Sequence, residues 1–388
     1  MKTTTIKNLF FFFTFLTLFA ACKEQSKTKD VEVVTKEHAS KPLPDSLHTK
    51  LDSILIKYAK EHSCRVMAKV ETSEDVFSYL GFDGRANAPI TNFSTPYEIG
   101  SCTKLFTASA ILQLVEADKF SLEDRLTDIL PNKNLYEGLL VIDGKDYIDS
   151  VTVKNLLNHT TGFTDYFTTG DDEREIEIHG DPNMKFTPED LINLSKAKPI
   201  KEPFIPGSKM SYCNVNYTLL GMIIEKYSGE TFQSYIKQHI IEPLDLKHTS
   251  FGSVYIPKDM PDGHYKGKLV HMPPSLAGAA GEIISTLDDM DIFINAWYNG
   301  KLFKNPETIK LVKTQYFNEM AMGIRYGLGV IDLLDLSLGH AGQTFGFQSY
   351  VAEVPNGSSF VLSIDDGAVS AWEPALMISS ELNTPEAN

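Results

Sequence analysis

Residues 97–116, YEIGSCTKLFTASAILQLVE, decide how the chain is read. Leu105, Ala108, Leu112 and Val115 recur at helical spacing, and Phe106, Ala110 and Ile111 fill the remaining positions, so the run predicts a buried helix. Gly100 permits a tight turn into it. Ser101 and Lys104 stand three apart at its start, on one helical face, where a hydroxyl and an amine can meet. A serine hydroxyl is a poor nucleophile without a base beside it. The helix N-terminus disfavours an ammonium and so pushes Lys104 towards its neutral form. The free backbone N–H groups there can face a developing oxyanion. Alone, a Ser-x-x-Lys spacing is weak, and an N-cap serine with a solvated lysine is the better reading of this stretch by itself.

Outward from this helix, both flanks look like sheet. Residues 46–62 form an amphipathic helix with Leu47, Leu51, Ile54, Leu55 and Tyr58 on one face, and Arg65–Glu71 and Asp75–Gly81 read as strands. Tyr326–Leu334, Phe347–Val354 and Phe360–Ile364 are strand-like again, followed by a closing helix over 370–382. Between them lie helical runs at 120–131, 151–166, 187–196, 216–229 and 286–299, and a solvated acidic loop at Asp171, Asp172 and Glu173. The order predicts an α+β fold: an antiparallel sheet built from both chain ends and flanked by helices, with a mainly helical domain inserted. The sheet part is expected at about 46–110 and 290–388, and the helical part at about 111–289.

The first 21 residues read as a signal peptide, with Lys2 and Lys7 before LFFFFTFLTLFA (9–20), which is too short to span a membrane. Small residues before Cys22 look like a bacterial lipobox, so Cys22 is the expected lipidation site of an exported, periplasmic or cell-surface lipoprotein. Residues 22–45 are polar and aperiodic; as a flexible tether they span roughly 25–30 Å. The remaining module, 46–388, carries the chemistry.

The chain has 388 residues, 42% hydrophobic, with a formal net charge of −15. That size allows a large core, and that charge argues against nucleic acid and against charge-driven binding to anionic lipid. Four cysteines make no disulfide scaffold, and ten histidines show no metal-ligand spacing, so neither metal nor cofactor is expected. His159 reads as a residue that orders the loop after a helix.

Two further stretches complete a constellation. FIPGSKMSYCNVNY (204–217) holds Tyr212 and Asn214; LGHAGQTFGFQS (338–349) holds His340, Gly342 and Gln343. A tyrosine beside a lysine can have its pKa lowered and act as a base. An asparagine can hold both the lysine and a substrate amide. A glycine in a strand lets backbone approach a ligand. Ser-x-x-Lys, Tyr-x-Asn and His-x-Gly in this order resemble the serine β-lactamase and penicillin-binding superfamily. The Tyr-x-Asn form resembles the branch of class C β-lactamases, D-Ala-D-Ala carboxypeptidases and related esterases. VTVKNLLNHTTGF, EPLDLKHTSF (242–251) and GAAGEIISTLDDM (278–290) extend the resemblance over about 46–382.

The resemblance implies a β-lactamase/transpeptidase-like fold and an exported serine hydrolase that forms an acyl-enzyme. It makes Ser101 the nucleophile, Lys104 its activator, Tyr212 a second proton carrier and Asn214 a substrate contact. His340 and Gly342 match the strand-edge motif, and the backbone N–H groups of Gln343 and Ser101 the oxyanion hole. Substrates would be D-amino-acid or cell-wall peptides, or esters. A class C-like β-lactamase and an inactive peptide-binding relative are the alternatives, and a monomer is expected. No Gly-x-Ser-x-Gly occurs, which argues against an α/β-hydrolase. His340 stands where β-lactamases carry Lys. A His of ordinary pKa is only roughly a quarter charged at pH 7, so carboxylate substrates are expected to bind better as pH falls towards 6.

Overall fold

The computed structural model describes residues 45–72, 76–80, 93–130, 132–167, 172–200 and 202–384. The signal peptide, Cys22, the tether up to residue 44, Asp75, Gly81 and Asp171 lie outside the described residues, while Asp45, the last tether residue, already belongs to a helix. Among those described, no helix is long and apolar enough to cross a membrane.

An eight-stranded antiparallel sheet runs in the order Asn318–Ala321, Ile324–Tyr326, Ile331–Leu333, Ser337–Gln343, Gln348–Glu353, Ser359–Ile364, Val66–Glu71 and Val76–Leu80. Both chain ends meet inside it: Val66 pairs with Ile364 and Glu71 with Ser359. The β-lactamase/transpeptidase-like α+β architecture expected from the sequence is therefore present. Strand alternation divides the apolar side chains between two cores. Phe360, Leu362 and Ile364 join Val66, Ala68, Val70 and Tyr350 under the terminal helices Asp45–His62 and Trp372–Leu382. Val361, Val351 and Met67 face the opposite way, into the larger core with Phe293, Ile294 and the Ser101-bearing helix. Leu47, Leu51, Leu55 and Tyr58 are buried as the amphipathic pattern required.

On that second face, the helices Thr103–Glu116 and Asn214–Ser228 pack together beside a small sheet of Tyr97–Glu98, Ile283–Ser285 and Ser250–Phe251. Two helical runs are shorter than their apolar patterns suggested. Residues 120–131 give only Leu126–Ile129, and 151–166 only Val153–Leu157. The second begins at a capping box of Thr152 and Asn155. It stops before His159, whose φ of +57° is left-handed.

The acidic stretch differs in kind from the expected loop. Asp172–His179 is a helix, with acids in its first turn and with Glu175 and His179 buried 3.6 Å apart along it. Spacing of i, i+4 and acids at the N-terminal end favour a helix more than the bare charge density revealed.

Candidate active site

Three segments converge on Ser101. The first is the 3₁₀ turn Gly100–Cys102, which opens into the helix Thr103–Glu116. Gly100 has φ +51°, and a Cβ there would lie 2.7 Å from the Gln343 backbone nitrogen. Only glycine allows the turn and the close approach together. The helix start is then fastened on both flanks. Cys102 points inward, its Sγ donating to the His340 carbonyl at 3.2 Å. The Ile283 N–H donates to Thr103 Oγ1 at 3.2 Å, and Thr107 Oγ1 donates to the Ala279 carbonyl at 2.7 Å.

Lys104 is fully buried. Its Nζ lies 2.9 Å from Ser101 Oγ, 2.8 Å from Asn214 Oδ1 and 2.8 Å from the Ala280 carbonyl oxygen. The last two can only accept hydrogen bonds. As a neutral amine, Lys104 would spend its two N–H groups on them and turn its lone pair towards the Ser101 hydroxyl. Burial lowers its pKa to about 7, against the opposing pull of Asp165. Burial, not the helix N-terminus invoked from the sequence, is the main cause of this lowering.

The second segment is the start of helix Asn214–Ser228. Tyr212 lies two residues before it, its ring centroid 4.9 Å from Lys104 Nζ. Burial raises its pKa well above 10, and a hydrogen bond with Ser101 only partly opposes this. Tyr212 is thus a protonated phenol, which corrects the idea of a lowered pKa and a base. His159 sits under this turn, 4.2 Å from the Tyr212 ring between centroids. Its Nδ1 accepts from the Cys213 backbone N–H at 3.3 Å, and it is buried and held well below its usual pKa. It orders the loop, as read from the sequence.

The third segment is the strand Ser337–Gln343. A Cβ on Gly342 would lie 2.0 Å from the Ile99 carbonyl oxygen, so strand and turn touch through backbone. That contact brings the Gln343 N–H beside the helix start, while the Gln343 side chain donates to the Gly367 carbonyl at 3.2 Å. His340 behaves otherwise than its motif position suggested. Its imidazole is only 1% exposed. Nδ1 donates to the Ala341 carbonyl at 2.5 Å, so Nε2, 2.9 Å from Tyr326 Oη, accepts. Burial, followed by the Lys104 charge, lowers its pKa to about 3. It stays neutral throughout the physiological range, so it offers no carboxylate-binding charge near pH 6.

Sequence reasoning missed two contributors. One is the Ala280 carbonyl, which acts through backbone and leaves no side-chain signal. The other is Asp165, a carboxylate between the buried Phe163 and Tyr166, where an acid among apolar neighbours was the available clue. Cys64, Cys102 and Cys213 are buried and free. Among the described residues there is no cluster of His, Cys, Asp or Glu suited to a metal.

An antiparallel sheet whose strand Ser337–Gln343 closes on a Ser-x-x-Lys helix defines the class of β-lactamase/transpeptidase-like folds. The chain belongs to the Beta-lactamase family, whose model matches residues 66–362. PbpX of Bacillus subtilis (strain 168), a provisional penicillin-binding protein, is 29% identical over 306 residues, covering 77% of this chain and 71% of that one. Among solved structures, a D-stereospecific amidohydrolase from Streptomyces sp. superposes with a TM-score of 0.72 at 26% identity, over 88% of this chain and 99% of the other. The D-amino acid amidase of Ochrobactrum anthropi SV3, complexed with D-phenylalanine, shares the fold at 21% identity, with a TM-score of 0.72 over 88% of this chain and all of its own.

Proposed function

We propose that the protein is a serine hydrolase working through an acyl-Ser101 intermediate on D-amino-acid peptides, amides or esters. We further propose that it is exported and anchored through Cys22, acting as a monomer on small-molecule or cell-wall peptide substrates. The observation that carries the catalytic reading is the contact of Lys104 Nζ with Ser101 Oγ at 2.9 Å, in a lysine whose pKa is about 7. Lys104 takes the Ser101 proton as Oγ attacks the substrate carbonyl carbon. The oxyanion forms against the backbone N–H groups of Ser101 and Gln343. Tyr212, still a phenol, donates its proton to the leaving nitrogen or oxygen as the acyl bond breaks, and the proton held on Lys104 restores it. Water then attacks the acyl-serine by the reverse proton path.

The substrate class is supported by the Streptomyces amidohydrolase, by its name D-stereospecific, and the amides and esters within that class also by His340. A neutral, inward-turned imidazole does not favour substrates that depend on a charged carboxylate contact at that position, β-lactams included. The test is the intact mass of the protein after treatment with a fluorophosphonate or penicillin, followed by a panel of D-aminoacyl amides, esters and peptides. The expected result is one adduct on Ser101 and turnover of D- over L-substrates. Labelling elsewhere would overturn the mechanism, and no labelling at all would favour a binding-only protein. Cephalosporin turnover above about 10⁶ M⁻¹s⁻¹ would put a β-lactamase first.

A further inference from the structure

Asn214 opens its helix with no cap from the preceding residue, Cys213. The cap comes from a distant loop. Asp165 Oδ2 accepts from the Asn214 backbone N–H at 2.9 Å and from Asn214 Nδ2 at 2.9 Å. Its other oxygen accepts from the Phe167 N–H at 3.2 Å. An ionised carboxylate is acceptor-only, so it dictates which end of the Asn214 amide faces it. The amide nitrogen turns to Asp165, and Oδ1 is left facing Lys104 Nζ at 2.8 Å.

That orientation matters for the base. With Oδ1 towards Lys104, the amine donates to Asn214 and its lone pair is left for Ser101. With the amide reversed, an N–H would point at Nζ and compete with Ser101 for the lone pair. The second Nδ2 hydrogen stays available for a substrate carbonyl, so the same constraint also aims the substrate contact.

We propose that Asp165 is a positioning residue for acylation: by fixing the Asn214 amide it aims the Lys104 lone pair at Ser101, and it holds a carboxylate at one remove from the amine. This rests on the acyl-enzyme reading above. The groups whose charges act on Lys104 are Asp165, Cys102 and Cys213. His159 and His340 are both held neutral by burial, and Tyr212 and Tyr217 flank Nζ as protonated phenols, at 4.9 and 5.3 Å. Both cysteine thiols are pushed upward by burial; burial also raises Asp165, but only to about 6, so Asp165 is the anion among them at pH 7 and loses its charge towards pH 5.

The experiment measures the rate of Ser101 labelling by a fluorophosphonate from pH 5 to 9 in the full chain, with thermal melting of each variant as a check on folding. Wild type should show an acid limb centred near pH 7. In Asp165→Asn, an acceptor oxygen is kept and the charge is lost. A nearby anion favours the ammonium, so its removal should move the limb to lower pH. Asp165→Ala should slow labelling at least about 10-fold, but cost little more in an Asn214→Ala background, because it acts through Asn214. A lowered rate with an unmoved limb, or losses that multiply in the double variant, would overturn the proposal and leave Asp165 a helix cap. Failure of wild type to label is a different outcome: it would overturn the acyl-enzyme reading and the inference with it.

Discussion

Lys69 and Lys104 both lie near carboxylates, with opposite results. Lys69 Nζ lies 3.0 Å from both Asp288 and Asp291, beside the helix Leu287–Tyr298. Burial pulls its pKa down, but Asp291 and Asp288 more than reverse this, and it ends above 10.5. Lys104 is buried more deeply, touches only neutral acceptors, and feels its nearest carboxylate through Asn214; it ends at about 7. Burial lowers Lys104, and no direct ion pair reverses it, because an amide stands between the amine and the acid. Direct contact makes an ion pair; contact at one remove leaves the amine near its neutral form.

The largest effect should come from removing the base. Lys104→Met or Tyr212→Phe should each cost at least about 10²-fold in kcat, and the pair together far less than the product, since both serve one proton path. Strictly multiplicative losses would assign them separate jobs. The same lysine substitution sharpens the contrast in stability. A lysine whose folded pKa lies below its unfolded value of about 10.4 costs stability wherever the unfolded chain is protonated. Wild-type stability should therefore rise between pH 7 and 10, and Lys104→Met should flatten that rise in a denaturant titration. Lys69 has the opposite sign: its stabilisation is present below about pH 10 and is lost as pH climbs through its raised pKa. Lys69→Met should lower the melting temperature by a few degrees near pH 7 and leave labelling of Ser101 unchanged.

The comparison can also be broken deliberately. Asn214→Asp puts a carboxylate directly against Lys104, as at Lys69. The acid limb of acylation should move up by at least about one pH unit, and the rate at pH 7 should fall about 5-fold or more. An unmoved limb would show that the intervening amide is irrelevant. The smallest effect is expected at the strand edge. Since His340 titrates far below neutrality, KM for carboxylate-bearing substrates should show no improvement from pH 8 to pH 6 beyond that seen in His340→Gln.

The sheet and its terminal helices were legible because each carries a simple period. Phe360, Leu362 and Ile364 alternate with residues of the other core, and Leu47, Leu51, Leu55 and Tyr58 keep to one helical face. The inserted region was read less well. Its apolar runs at 120–131 and 151–166 pack largely as loops, and composition does not say where a helix stops when the stop is a left-handed His159. At the site, Ser101, Lys104, Tyr212, Asn214, Gly342 and Gln343 were found by motif, and the structure brings them together. What motifs could not carry was protonation. The neutral His340 and the protonated Tyr212 follow from burial among Tyr326, His159 and each other, which no local pattern encodes. Asp165 escaped for the same reason: it reaches the site across 49 positions of sequence.

The central claim is that Lys104, neutral near pH 7, activates Ser101. Its most direct test is the pH dependence of the rate at which a fluorophosphonate acylates Ser101, with the adduct mapped by peptide mass spectrometry. The structure predicts a single Ser101 adduct and an acid limb centred near pH 7. A limb centred near 10, the value of an ordinary lysine, or an adduct on another residue, would contradict it.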